Sequence, residues 1–358
     1  MKVAITHDWL VGGGAELVVE QLHKLYPEAP IYTSTATKEW KSRLDGKVIT
    51  GYLDRWPLRP LRKYLAPLRA LWFSRLDLRE YDLIISSKGN GEASYVRRLA
   101  PSAKHICYCH SPTHFYWRKY DAYIESPGFG LFNPLARLGL RLLVKPLRRW
   151  DYRAMRRPDV IIANSTNIQK EIKKSYNRKS EVVFPPVDTG RFKAAKVRKD
   201  YYVTGGRQVP YKRHDIAVAA CSKLNIPLKV LGHGPENQRL KQLAGPSVEF
   251  IDSPSNSQIE QAFSEARGFI HAAEEDFGIM PVEALSAGCP VIAYGAGGAL
   301  DYVQDGKNGL LVRTQNAEAF AAKLNKQVSY TPAQISKSAQ KFSDKAFWEE
   351  FRRILSKT

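Results

Sequence analysis

Short apolar runs bounded by turn residues recur along the chain, and stretches of helical periodicity separate them. The first run covers residues 2–6 and meets a glycine triplet at Gly12, Gly13 and Gly14. Leu17, Val18, Leu22 and Leu25 then fall on one side of a helix. Runs at 83–85, 106–108 and 160–163 are apolar throughout, as expected of parallel strands buried on both faces. The rhythm restarts after the double proline at 185–186. Strand-like runs stand at 201–204, 228–231, 248–251, 268–270 and 290–293, and residues 216–224 form a helical segment. Such alternation predicts doubly wound α/β sheets.

Two sheets imply two Rossmann-like domains, with a ligand in a cleft facing the carboxyl ends of both. The pattern divides into a first domain at 1–185, a linker at 186–198, a second domain at 199–340 and a terminal helix at 341–358. Phe347, Phe351, Ile354 and Leu355 give that helix an apolar side, for packing on its own core or for crossing back to the first domain.

Composition adds little until charge is counted. The 358 residues are 44% hydrophobic and 25% charged, as in a globular protein. No apolar run is long enough for a transmembrane helix, and the first residues lack the apolar core of a secretory signal. The four cysteines fit reduced thiols of a cytoplasmic protein rather than a disulfide or zinc framework. Fifty-five basic residues against 35 acidic give a net charge of +20. Residues 1–190 hold 32 basic and 18 acidic residues, so the first half carries most of the excess. A field of this sign implies an anionic partner: nucleic acid, anionic lipid or a phosphorylated substrate.

Candidate chemistry concentrates in four blocks. Residues 275–288 place Glu275 before a turn at Gly278, then Ile279, Pro281 and Glu283 in a helix that Gly288 would end. The helix start offers free N–H groups to an anion, and the two carboxylates could grip hydroxyls at two ends of a phosphate-bearing ligand. A glycosidase acid–base pair is the rival chemistry. Residues 205–213 run from a strand end into a loop with Arg207 and Lys212 placed to meet phosphate oxygens. The glycine triplet fails the dinucleotide fingerprint because Leu17 replaces its last glycine, yet Gly13 and Gly14 allow a close backbone approach. His110 follows the run at 106–108, with His114 and three aromatics close behind. No two aspartates lie two positions apart, so no D-x-D pair is present to hold a metal-bound diphosphate.

The segments EDFGIMPVE at 275–283, GGRQVPYKR at 205–213, HDWLVGGGAE at 7–16 and ANSTNIQKEI at 163–172 resemble family 4 glycosyltransferases of the GT-B fold. YCHSP at 108–112 and the PYKR loop are most similar to mannosyltransferases of O-antigen and polysaccharide assembly. The resemblance implies a retaining, metal-independent hexosyltransferase. Its nucleotide-sugar donor, GDP-mannose ahead of a UDP-sugar, is held by the second domain, and a saccharide or polyprenyl-diphosphate-linked acceptor by the first. Glu275 would bind the donor sugar and Glu283 the ribose. Arg207 and Lys212 would neutralise the leaving diphosphate, assisted by N–H groups near Gly278 and Ile279. Gly13 and Gly14 would approach the diphosphate or acceptor, and His110 the transferring sugar. His114 and Asp301 stand where related sequences often carry Arg and Glu. A sugar-nucleotide epimerase or hydrolase of the same fold, and a basic nucleic-acid-binding protein, are the alternatives.

Two basic stretches imply where such an enzyme works. Residues 137–157 hold eight basic residues and one acid, and residues 55–79 hold seven and one. Helical spacing puts most cations of the first stretch opposite Leu140, Leu143, Val144, Leu147 and Trp150, with Pro146 expected to kink the helix. These stretches predict peripheral contact with the anionic inner face of the cell membrane.

Overall fold

A computed structural model describes residues 1–62, 65–89, 91–118, 120–125, 130, 133–195 and 197–357. The chain divides into two compact units. One holds residues 1–184 and the segment from Trp348 onward, and the other holds Pro185–Phe347.

The first unit is built on a seven-stranded parallel sheet: β1 (Val3–His7), β2 (Ile31–Thr33), β3 (Val48–Thr50), β4 (Leu83–Lys88), β5 (Lys104–Cys109), β6 (Val160–Ala163) and β7 (Glu181–Val182), in the order β3-β2-β1-β4-β5-β6-β7. Every residue of β1 and β4 is buried, which explains their continuous apolar runs. Helices α1 (Gly14–Leu25), α2 (Ala66–Arg75), α3 (Asn133–Ala154) and α4 (Thr166–Tyr176) connect or cover the strands. Ser165 caps α4 by accepting from the Ile168 N–H, and Asn177 ends it in the left-handed region.

The second unit repeats the plan with β8 (Tyr202–Gly205), β9 (Leu228–Leu231), β10 (Val248–Ile251), β11 (Gly268–His271), β12 (Val291–Tyr294) and β13 (Gly309–Val312). Their order is β10-β9-β8-β11-β12-β13, again parallel. Helix α5 (His214–Lys223) packs Ile216, Ala217, Ala220 and Cys221 onto Val230, Ile270 and Ile292. Helix α6 (Ile279–Ser286) follows β11, and α7 (Asp344–Leu355) closes the fold, counting with the first unit from Trp348. Each sheet reverses its strand order once, between β1 and β4 and between β8 and β11, and ligands of doubly wound folds bind at such points.

Several elements depart from the sequence pattern. β2, β3 and β7 have only two or three residues, too few for a periodicity to register. α3 runs through Pro146 as one helix of 22 residues. Leu143, which helical spacing placed opposite most of the cations, is exposed, whereas Val144 beside it is buried. Within the linker, Lys196 lies outside the described residues.

Candidate active site

In the second unit, β8 and β11 deliver their carboxyl ends side by side. The chain leaves β8 through Gly205 and Gly206 into a short 3₁₀ turn, Pro210–Lys212, which carries Lys212 back over the strand end. From β11 it leaves through His271 and a short loop that holds Glu275. The Lys212 ammonium pairs with the Glu275 carboxylate, and His271 Nε2 stands 3.9 Å from Glu275 Oε2. Burial pushes the Glu275 carboxyl up, but Lys212 and then His271 outweigh it and hold it below the usual carboxylate range. Burial lowers His271 to about 4, against the pull of Glu275, so the imidazole is neutral at pH 7. His214, at the start of α5, is likewise lowered to about 4 by burial, with Lys212 and His271 adding to it. Its Nδ1 lies 3.1 Å from Thr204 Oγ1.

Gly278 turns the chain from Glu275 into α6 with φ +95°, a conformation only glycine adopts freely. A Cβ there would stand 3.1 Å from the Tyr302 hydroxyl and 3.3 Å from Glu275 Oε2. The first N–H groups of α6, beginning at Ile279, therefore open beside Glu275, without intrahelical acceptors. The Tyr302 hydroxyl is buried with no hydrogen-bond partner among the described residues. Glu283, one turn into α6, is part-buried. Burial raises its carboxyl to about 7 despite Arg191, and Asp188 adds to the rise. Arg207 is exposed, with its guanidinium 3.4 Å from the Tyr211 hydroxyl. The structure thus gathers Lys212, Glu275, Gly278 and Ile279 at one strand-order reversal, and leaves Arg207 in solvent.

In the first unit, β1, β4 and β5 end together. Ser87 joins His7 to His110: its hydroxyl lies 3.0 Å from His7 Nδ1 and 2.8 Å from His110 Nε2. Asp8 Oδ2 accepts from the Gly89 and Gly91 N–H groups at 2.7 and 2.9 Å, and Oδ1 from Ala93 N–H at 2.8 Å. The glycine triplet leads from β1 toward α1. Its left-handed residue is Gly12, at φ +111°, whereas Gly13 is extended and Gly14 begins α1. The Glu16 carboxylate accepts from the Val11 and Gly12 N–H groups, so these donors already have partners.

Sequence reasoning passed over His271, His214 and Tyr302 in the second unit, and His7, Asp8 and Ser87 in the first. His7 and Asp8 stand immediately after the first apolar run, and His271 ends another, so position at a strand end was the available signal. Ser87, two residues past the run at 83–85, shared that signal, and Tyr302 carried none.

Comparison with known proteins agrees with this geometry. The family model described as Glycosyltransferase Family 4 matches residues 12–191, and the model for Glycosyl transferases group 1 matches residues 187–346. A D-inositol 3-phosphate glycosyltransferase of Nocardioides sp. is 29% identical over 210 residues, 48% of this chain and 46% of its own. A GDP-mannose-dependent alpha-mannosyltransferase of Mycobacterium tuberculosis is 32% identical over 108 residues, 30% of this chain and 28% of its own. The chain thus matches about half or less of the length of these relatives. Among solved structures, Anabaena HepE in complex with UDP superposes over 100% of both chains with TM-score 0.71 at 22% identity. The sucrose-phosphate synthase of Thermosynechococcus elongatus does so with TM-score 0.68 at 16% identity. These matches disfavour the epimerase, hydrolase and nucleic-acid-binding alternatives. With a family model spanning half its length, the chain belongs to glycosyltransferase family 4.

Proposed function

We propose that this chain is a retaining hexosyltransferase that moves mannose from GDP-mannose to a saccharide or polyprenyl-diphosphate-linked acceptor. It would serve cell-surface polysaccharide or glycolipid assembly, including O-antigen-type chains, on the cytoplasmic face of the membrane. The carrying observation is the Lys212–Glu275 pair beside the open N-terminus of α6. Mannose is put first because relatives from M. tuberculosis and Xenopus tropicalis are named for GDP-mannose or GDP-Man, whereas HepE was solved with UDP and UDP-glucose.

In this reading the donor diphosphate lies against Lys212, Arg207 and the first N–H groups of α6, Glu275 receives sugar hydroxyls, and Glu283 receives the ribose. As the anomeric C–O bond breaks, charge grows on the departing diphosphate while the sugar gains oxocarbenium character. Fixed cations and a helix N-terminus stabilise that charge most when it is greatest, which accelerates the step rather than merely tightening binding. Attack by the acceptor hydroxyl on the face the phosphate leaves, with its proton passing to the departing diphosphate oxygen, would retain configuration. The acceptor side is assigned to the first unit, at His110 and the loop held by Asp8.

A thermal-shift panel of GDP-, UDP- and ADP-sugars tests the donor, because a ligand of the folded state raises stability by mass action. GDP-mannose should give the largest shift, and nucleoside diphosphate should appear in quantity only when an acceptor is added. A larger shift with a UDP-sugar would replace mannose in the reading. Release without acceptor would replace transfer with hydrolysis.

A further inference from the structure

Helix α3 presents an arc to solvent that a water-facing helix has no reason to carry. Leu135, Leu138 and Leu142 are 67%, 54% and 68% exposed, and helical spacing aligns them with exposed Lys145, Arg149 and Arg153. Arg141 flanks this arc, also exposed. The opposite arc is buried at Val144, Asp151 and Ala154. No acidic residue occurs between 133 and 150, so the exposed arc has no internal counter-charge.

The two halves of α3 are held differently. Asp151 fixes the carboxyl-terminal half: its carboxylate accepts from the Tyr95 hydroxyl at 2.9 Å, Trp117 Nε1 at 2.6 Å and the Tyr176 hydroxyl at 2.8 Å. The fully buried Lys88 ammonium stands 3.6 Å away. The leucines lie in the other half, clear of that anchor.

The second basic stretch contributes less than its composition implies. Arg69 is buried against Glu92, and Arg59 and Arg79 face Asp54 and Asp77. Lys63 lies outside the described residues. What that stretch does offer is Trp56, 86% exposed. Its helix α2 joins α3 in one cluster, where Ala70 and Phe73 meet Ala154 and Trp150.

We propose that the exposed arc of α3 is a lipid-docking surface, with its leucines entering the acyl boundary of an anionic leaflet and its cations meeting the headgroups. Leucines and cations on one face, with no acid among them, fit a surface that is negative outside and apolar just beneath. This deepens the membrane location proposed above, and it stands or falls apart from the sugar chemistry. It also changes the kind of attachment expected: cations alone are released by salt, whereas inserted leucines are not.

The test is co-sedimentation of the full chain with phosphatidylcholine vesicles, with and without phosphatidylglycerol, at low and high salt. The wild type should sediment with the anionic vesicles, and a fraction should persist in high salt. Arg141→Glu with Lys145→Glu should weaken low-salt binding on the order of tenfold or more. Leu138→Ser with Leu142→Ser should still bind at low salt and be released completely by high salt. Equal recovery on both vesicle types overturns the proposal, as does a leucine variant that keeps the salt-resistant fraction. A sedimentation coefficient that falls in the leucine variant without vesicles would make the arc an interface between copies of this chain. Stabilisation by nucleotide sugar, measured on the same variants, should be unchanged, which separates failure of the docking surface from failure of the transferase reading.

Discussion

Lys212 is paired with Glu275 across the carboxyl ends of β8 and β11, so the cation proposed to meet the diphosphate and the carboxylate proposed to meet sugar hydroxyls are in direct contact. Lys212 holds the buried Glu275 carboxyl in its charged form, against the cost of burial. A donor that places phosphate near Lys212 and hydroxyls near Glu275 exchanges this contact for two others at little reorganisation cost.

Replacing Lys212 with Met should therefore affect turnover more than binding. Loss of one prearranged donor at the developing charge lowers kcat by about 10²–10³. Donor KM should change much less, because neighbouring N–H groups remain. Steady-state kinetics at saturating acceptor check this. A variant whose KM rises while kcat holds would place Lys212 in ground-state binding only.

Gly278→Ala tests the turn that opens α6. Its φ of +95° is strained for alanine, and the new methyl would press on the Tyr302 hydroxyl and Glu275. A strain of about 1–3 kcal/mol should appear as a lower Tm. Donor affinity should fall as well, since the displaced Glu275 and the helix N–H groups serve the same ligand. Tight donor binding in a destabilised variant would separate this turn from the site.

Both folds were largely legible in the sequence, because buried parallel strands such as β1 and β4 open on apolar runs. Edge strands of two or three residues, such as β3 and β7, are too brief to show a period. Within the site, the blocks around Lys212 and Glu275 were legible because Gly278 and Pro281 punctuate a helix start. Tyr302 was not, since only tertiary packing brings its hydroxyl beside Gly278. Leu135, Leu138 and Leu142 of α3 were not singled out in the sequence for a related reason. Periodicity locates an apolar face but does not say whether protein or something else covers it.

The shifted groups give opposite pH dependences. His214 and His271 are lowered from 6.5 to about 4, so the unfolded chain takes up protons first. The stability they supply is complete above pH 6.5 and lost as pH falls toward 4. Glu283 is raised from 4.5 to about 7, so its contribution is present below pH 4.5 and lost as pH rises through 7. Glu283→Gln should consequently raise Tm at pH 8, by a free energy of up to about 3 kcal/mol, and change little at pH 5. At pH 8 the same variant should bind donor more weakly, because the proposed ribose contact loses a charged acceptor, worth about 1.5–3 kcal/mol per hydrogen bond. Melting curves and donor titrations at the two pH values decide it. A Tm unchanged at pH 8 would remove the case for a strained carboxyl.

Transfer should persist in excess chelator. The diphosphate contacts proposed here are Lys212, Arg207 and helix N–H groups, and the sequence has no D-x-D pair to carry a metal in their place. Activity lost on adding chelator and restored by Mg²⁺ or Mn²⁺ would assign the charge neutralisation to a metal instead.

Asp8 supports the first unit's site through the backbone. Its two oxygens accept three N–H groups from residues 89–93, immediately after β4, and a Cβ at Gly91 would collide with its carboxylate. The loop therefore lies tight against Asp8, while Ser87 just before it reaches both His7 and His110. Asp8→Asn keeps the size but turns an amide NH₂ toward at least one of these donors. Each lost charge-assisted bond costs about 1.5–3 kcal/mol. Urea unfolding should register that loss, and hydrogen exchange should rise first in the segment 89–93. Transfer should drop with donor stabilisation unchanged, because the proposed donor contacts lie in the other unit. Unaltered protection of that segment would show that the loop holds its shape without Asp8, and would leave the carboxylate free for a direct part in the reaction.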